Sequence, residues 1–259
     1  MGQYFEWVNF DKGEIIATWP WPNGQKLHEC AYVGCEETDA ALTMLAGEWA
    51  GDFVVFLGDY ATFENETYSN HKELQRRLKG MNLEDYVFDC KDICGRFDYV
   101  RRHPEATYPV YGAKPGEEVE RHYEGPYDIA IRHFRYVVNE SKREYVDRVR
   151  TAVRSIDSKS GRIVRYDPFP QLMCSETLGI EHPEREIDGL WFGDLIRPTD
   201  EHPGDDYAAV AQRYSHFGPP LTCSDDEIRR IISEHRLNIA DKNILEQIYA
   251  CALKLAEHD

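Results

Sequence analysis

Long hydrophobic runs are missing from these 259 residues: no stretch approaches the roughly 18 apolar residues of a membrane-spanning helix, so no membrane partner is expected. Positive charge is also scarce. The 30 Lys and Arg stand against 47 Asp and Glu, a net charge of −17, whereas a phosphate backbone wants a basic face, so no nucleic-acid partner is expected either. The opening MGQYFE has no basic segment followed by an apolar one, which argues against a secretion signal, and Glu6 stands where myristoylation needs Ser or Thr. Catalytic signatures are absent as well: there is no Gly-x-Ser-x-Gly, phosphate loop, dinucleotide fingerprint or His-Glu-x-x-His. No cofactor is expected, and the choice between enzyme and binding protein stays open. With 42% hydrophobic residues the chain can bury a core, and a soluble cytoplasmic protein is the expectation.

Cysteine is present in an odd number, seven, which cannot all pair internally and suits a reducing compartment. Cys30/Cys35 and Cys90/Cys94 do not have the spacing of zinc knuckles, so buried thiols and no metal are expected. Residues 90–94 read as one helical turn.

Two blocks recur in order. Val8-Asn9, Lys12 and Glu14 coincide without gaps with Val138-Asn139, Lys142 and Glu144. Gly47-x-Trp49-x-Gly51-Asp52 recurs as Gly189-x-Trp191-x-Gly193-Asp194, each running into apolar residues. This order predicts a duplicated unit. The first block reads as strand, turn and strand, with Asn9 and Asn139 either forming the turn or touching a ligand. The second reads as a loop entering a strand, with Phe53 to Leu57 suited to a central position. Its tryptophans and aspartates either anchor and cap the loop or line a site.

The expected fold is therefore α+β: two similar strand-rich halves around a continuous sheet, plus a C-terminal helical hairpin. Residues 1–100 form the first half, 101–128 a connector, 129–222 the second half and 223–259 the helices on the same globule. Helices are expected over 36–45 and 71–79, the latter capped by Ser69 and ended by Gly80. Residues 162–166 read as a strand and 197–221 as a long loop. Ser224 to Glu227 forms a capping box before Ile228, and a second helix starts near Asp241.

Val54 to Tyr60, a strand ending in Gly-Asp, resembles the metal-binding strand end of calcineurin-like phosphoesterases. The Asp-x-His, Gly-Asn-His and Gly-His-x-His of that family are missing, so the ligand count for two metals is not met. A second resemblance is broader. Met1-Gly2-Gln3-Tyr4-Phe5 with Val8-Asn9-x-Asp11-Lys12, then Trp49-Ala50-Gly51-Asp52 and Gly58-Asp59-Tyr60, resembles a family of uncharacterised bacterial and fungal proteins. Those open with Met-Gly-Gln-Tyr-Trp, so Phe5 departs from them. The resemblance covers about the first 60 residues and thins out toward position 196; it implies motifs and no activity.

Two functions fit these readings. One is a non-catalytic binding protein of immunity, inhibitor or ligand-sequestering type. It would have a cleft between the halves bounded by Trp49, Asp52, Tyr60, Trp191 and Asp194, and would take a small neutral or cationic ligand or a basic protein partner. Asn9, Asn139 and Asp59 complete the candidate set. The other is a hydrolase or transferase using Asp52, Asp59 and Asp194 as acid, base or metal ligands.

Overall fold

The computed structural model describes residues 4–18, 20–22, 24, 26–59, 61, 71–103, 107–109, 120–123, 125–175, 187–210 and 224–256. The fold is α+β. Strands β1 (Phe5–Asn9) and β2 (Glu14–Ile16) form a hairpin, followed by α1 (Leu27–Cys30), α2 (Glu36–Leu45), β3 (Val54–Gly58), α3 (His71–Leu78), α4 (Leu83–Asp89) and β4 (Lys91–Asp92). Next come α5 (Asp98–Arg102) and a ribbon of β5 (Thr107–Pro109) and β6 (Glu120–His122). A second hairpin, β7 (Tyr136–Asn139) and β8 (Glu144–Asp147), precedes a ribbon of β9 (Val153–Ile156) and β10 (Ile163–Arg165). Helix α6 (Phe169–Met173), β11 (Ile196–Thr199), β12 (Ala208–Ala209), α7 (Asp225–Glu234) and α8 (Ile244–Ala256) complete the chain.

The two hairpins nucleate two sheets built to one plan. Their strand orders are β3-β1-β2-β4 and β11-β7-β8-β12. In each, the outer strand beside the first hairpin strand runs antiparallel to it, and the strand beside the second runs parallel. Registers also correspond: Asn9 faces Glu14 and Val54, and Asn139 faces Glu144 and Ile196. Asn side chains make both turns. Asn9 Oδ1 accepts from the Asp11 and Lys12 amides at 3.0 Å each, and Asn139 Oδ1 accepts from the Lys142 amide at 2.9 Å. The left-handed residue that closes the turn is Gly13 in one hairpin and Arg143 in the other, at φ +54°.

In place of the one continuous sheet expected, the described strands make two separate four-stranded sheets and the two two-stranded ribbons. The edges explain why. β3 is an edge strand, not a central one, and Cys174 and Ser175 cover its free side: Ser175 N donates to Phe56 O at 2.9 Å and Ser175 Oγ accepts from Gly58 N at 2.8 Å. β11 carries Pro198, which has no amide to give a further strand. The sheets meet instead through one core, where Ala41, Leu42 and Leu45 of α2 lie with Trp7, Ile16 and Phe56 of the first and Val137, Val146 and Ile196 of the second. Period-two alternation gives the first sheet a second apolar face, Val8, Phe10, Val55 and Leu57, which α3 covers with Leu74 and Leu78. The near-continuous apolar run of β3 thus reflects burial on both faces.

Three local expectations change. Residues 90–94 are not a helical turn: Lys91 N bonds Gly13 O and Ile93 N bonds Ile15 O, drawing them into β4 beside β2 before a 3₁₀ turn at Cys94–Arg96. The 101–128 connector includes the β5–β6 ribbon, and the 197–221 loop begins as β11 and contains β12. Residues 211–223, and Ser69 before α3, lie outside the described residues. At the C-terminus Ser224 and Glu227 form the expected capping box. Ile228, Ile231, Ile244 and Ile248 then pack on Val153, Ile156 and Ile163 of the β9–β10 ribbon.

Candidate functional site

The shared blocks bond to each other, twice. Asn9 Nδ2 donates to Asp52 Oδ2 at 2.8 Å, and Asn139 Nδ2 to Asp194 Oδ2 at 2.8 Å. Trp49 Nε1 donates to Glu14 Oε2 and Trp191 Nε1 to Glu144 Oε2, again at 2.8 Å each. Lys12 Nζ lies 3.6 Å from Asp52 and bonds Glu48 O; Lys142 Nζ lies 2.7 Å from Asp194 and bonds Leu190 O. Every letter common to the two blocks except the leading Val and the glycines is therefore part of a staple tying a hairpin to the loop before its outer strand.

This placement bears on the expected cleft. Both indoles are fully buried and aim their N–H groups at carboxylates, so neither offers a stacking wall. Asp52 and Asp194 are taken up by Asn and Lys. The two loops do approach one another, as pseudo-symmetry suggested, but rings fill the contact: Phe53 and Phe192 meet edge to face at 6.2 Å. Gly193, at φ +66°, lies so close that a Cβ there would stand 2.3 Å from the Phe53 ring. Asp59 is exposed and pairs with the Tyr4 backbone, accepting from its N at 3.0 Å and donating to its O at 2.8 Å. Tyr60 lies outside the described residues. The staple and loop-cap roles account for Asn9, Trp49, Asp52, Asn139, Trp191 and Asp194.

Three polar groupings lie outside the candidate set, and of these only the Cys30/Cys35 pair, expected as buried thiols, is marked by its spacing. Arg148, buried, lies 2.8 Å from Asp39 Oδ1 and 2.8 Å from Asp167 Oδ2, and donates to Phe134 O at 3.0 Å. Burial disfavours its charge, but the Asp167 and Asp39 carboxylates outweigh that and hold its pKa above the usual arginine value. Asp39 also meets His133 Nδ1 at 2.5 Å, and this hydrogen bond raises the imidazole pKa; the His133 side chain is 71% exposed. The second cluster is Cys30, Cys35 and Glu37 at the start of α2. The third is Glu6, whose side chain has no hydrogen bond or ion pair among the described residues. Burial, then Asp92 and Asp59, push its carboxyl up to about 7. No sequence spacing signals the other two: His133 and Asp39 are 94 positions apart. No group of three or more His, Cys, Asp or Glu side chains among the described residues is placed to hold a metal.

Glu6 has a consequence for stability. Its folded pKa of about 7 exceeds the ordinary 4.5, so between those values the folded chain holds a proton that the unfolded chain has lost. Stability is greatest from this group below about pH 4.5 and falls as pH rises through about 7. Glu6→Gln, which fixes the uncharged form, is expected to flatten that fall; urea midpoints at pH 5 and 8 check it. Parallel pH dependence in both proteins would mean that Glu6 does not carry it. No protein-family model matches this chain, and no curated protein or solved structure matches it either.

Proposed function

We propose that this is a binding protein that takes a basic amphipathic segment of a partner on the face of α4. One observation carries the reading: Phe88 is 75% exposed, in a helix that buries none of its residues fully. An exposed ring flanked by carboxylates offers a partner an aromatic anchor, the kind of residue that carries much of the binding energy at interfaces. Glu84 and Asp85 precede Phe88 by four and three positions and so share its face. Between Lys79 and Lys91 stand Glu84, Asp85 and Asp89 with no cation among them, and none has an ion-pair partner among the described residues. Met81, just before the helix, is also exposed. The net charge of −17 favours a basic partner by steering. The hydrolase reading has less support, because Asp52, Asp59 and Asp194 are all engaged in holding backbone or neighbouring side chains.

A labelled peptide with lysines on one helical face and leucines on the other tests the proposal by fluorescence anisotropy. Any lysine peptide will associate weakly with so acidic a protein, so Phe88→Ala is the discriminating variant. Burying a phenyl ring is worth about 1.5–3 kcal/mol, so the variant should weaken binding about 10-fold or more. Glu84→Gln with Asp85→Asn should weaken binding and reduce its salt dependence. Equal affinity for wild type and Phe88→Ala would sink the assignment to α4.

A further inference from the structure

Helix α2 starts with sulfur. Cys35 is its N-cap residue and Cys30 ends α1; both are fully buried, and Cys30 packs on the first turn of α2, where Thr38 Oγ1 donates to Cys30 O at 3.2 Å. The four residues between them are fixed from outside: Val33 N bonds Arg165 O at 2.9 Å, Cys35 N bonds Tyr32 O at 3.1 Å, and Tyr32 bridges Tyr166. The segment thus holds two buried cysteines at the two ends of a short, braced loop. Beside them lies Glu37, fully buried, with Oε2 3.3 Å from Cys30 Sγ and Oε1 without a hydrogen-bond partner among the described residues. Burying a carboxyl whose second oxygen makes no bond costs stability, and such groups ask for a chemical reason.

We propose that Cys30 and Cys35 are a reversible dithiol–disulfide pair that reduces a small peroxide, with Glu37 relaying the proton. Cys35 is the attacking sulfur. Its place at the N-terminus of α2, where helix N-termini stabilise anions, favours its thiolate, while the Cys30 thiol donates to Glu37 Oε2 and keeps its proton. Burial selects the oxidant: hydrogen peroxide is little larger than water, whereas a glutathione-sized disulfide cannot reach sulfurs inside the core.

The Cys35 sulfur attacks one peroxide oxygen, and the O–O bond breaks. The departing hydroxide takes the proton released from Cys35 and leaves as water, giving a sulfenic acid. The Cys30 sulfur then attacks the Cys35 sulfur, and the S–O bond breaks. Glu37, held protonated by burial, gives its proton to the departing oxygen and takes the Cys30 proton in return. Two thiols and one peroxide become one disulfide and two waters. A dithiol reductant reverses the pair by thiol–disulfide exchange once the segment opens.

The experiment treats the intact folded chain with hydrogen peroxide, removes the peroxide, unfolds the chain in denaturant so that every remaining thiol can be alkylated, and maps the peptides by mass spectrometry. The expected product is a peptide containing Cys30 and Cys35 that has lost two hydrogens and resists alkylation, while the other five cysteines, Cys90, Cys94, Cys174, Cys223 and Cys251, alkylate. Cys30→Ser should leave a sulfenic acid on Cys35 that dimedone traps when it is present as the chain is unfolded, and Cys94→Ser should change nothing. Glu37→Gln keeps shape and neutrality, so it should fold; it should slow disulfide closure about 100-fold or more and accumulate the dimedone adduct. Wild-type mapping needs no variant. If Cys30 and Cys35 stay alkylatable, or another pair oxidises first, the proposal is overturned. Unchanged closure in Glu37→Gln removes Glu37 from the mechanism.

Discussion

Arg148→Met is expected to cost about 3–5 kcal/mol of stability, or to prevent folding, because it strands two buried carboxylates. Arg148, Asp39 and Asp167 are each at most 1% exposed, and the guanidinium reaches both partners at 2.8 Å. Among the described residues, removing it leaves the Asp39 carboxylate with the surface imidazole of His133 and the Asp167 carboxylate with its bond from the Phe169 amide. The carboxylates will respond by binding protons. Their folded pKa values then exceed the unfolded ones, so the variant should recover stability as pH falls, the opposite of ordinary acid denaturation. Urea unfolding at pH 7 and 5 measures both effects. Adding Asp39→Asn and Asp167→Asn to Arg148→Met should restore much of the loss, since a neutral network avoids the stranded charges. A variant within about 0.5 kcal/mol of wild type at pH 7, a surface-like effect, would show that this triad does not carry its charges as drawn.

How much of this was legible in the sequence follows from the range of the interactions. The Asn turns, the capping box at Ser224 and helix α2 depend on residues two to four positions apart, and they read directly from spacing. The pairing of the shared blocks was legible as a coincidence of letters, but its meaning was not. A Trp next to a loop Asp serves a ligand wall and a structural anchor equally well. The decision rests on Glu14 and Glu144 lying across the hairpin from Asn9 and Asn139, which puts a carboxylate under each indole N–H. Those glutamates were already among the matching letters; asking which charged group would satisfy a buried indole could have found them. Phe53 to Leu57 looked central because both faces are covered, by helices on one side and the shared core on the other. Burial alone does not distinguish that from pairing on both edges. The triad at Arg148 was illegible for a different reason. Its members come from α2, the 3₁₀ turn after β8 and the segment before α6, and nothing local marks a helix whose first turn buries Glu37, Thr38 and Asp39 together.

The staple occurs twice and so separates packing from hydrogen bonding, because the same bond lies in two surroundings. Trp191→Ala and Trp49→Ala should each cost about 3–5 kcal/mol, the loss of a fully buried indole and the cavity it leaves. Phe at either position keeps most of the ring and removes the N–H. Glu144 is 3% exposed, so Trp191→Phe leaves a buried carboxylate short of one charge-assisted bond and should cost about 2–3 kcal/mol. Glu14 is partly exposed and water can replace the lost donor, so Trp49→Phe should cost about 1 kcal/mol beyond any repacking. Glu144→Gln in the Trp191→Phe background should recover part of the difference, because an amide tolerates the lost donor better than a charge does. The coupling between positions 191 and 144 should therefore exceed that between 49 and 14 in parallel double-mutant cycles. Equal costs for the two Phe variants would mean that the staples are held by ring packing alone and that the buried carboxylate is satisfied without the indole.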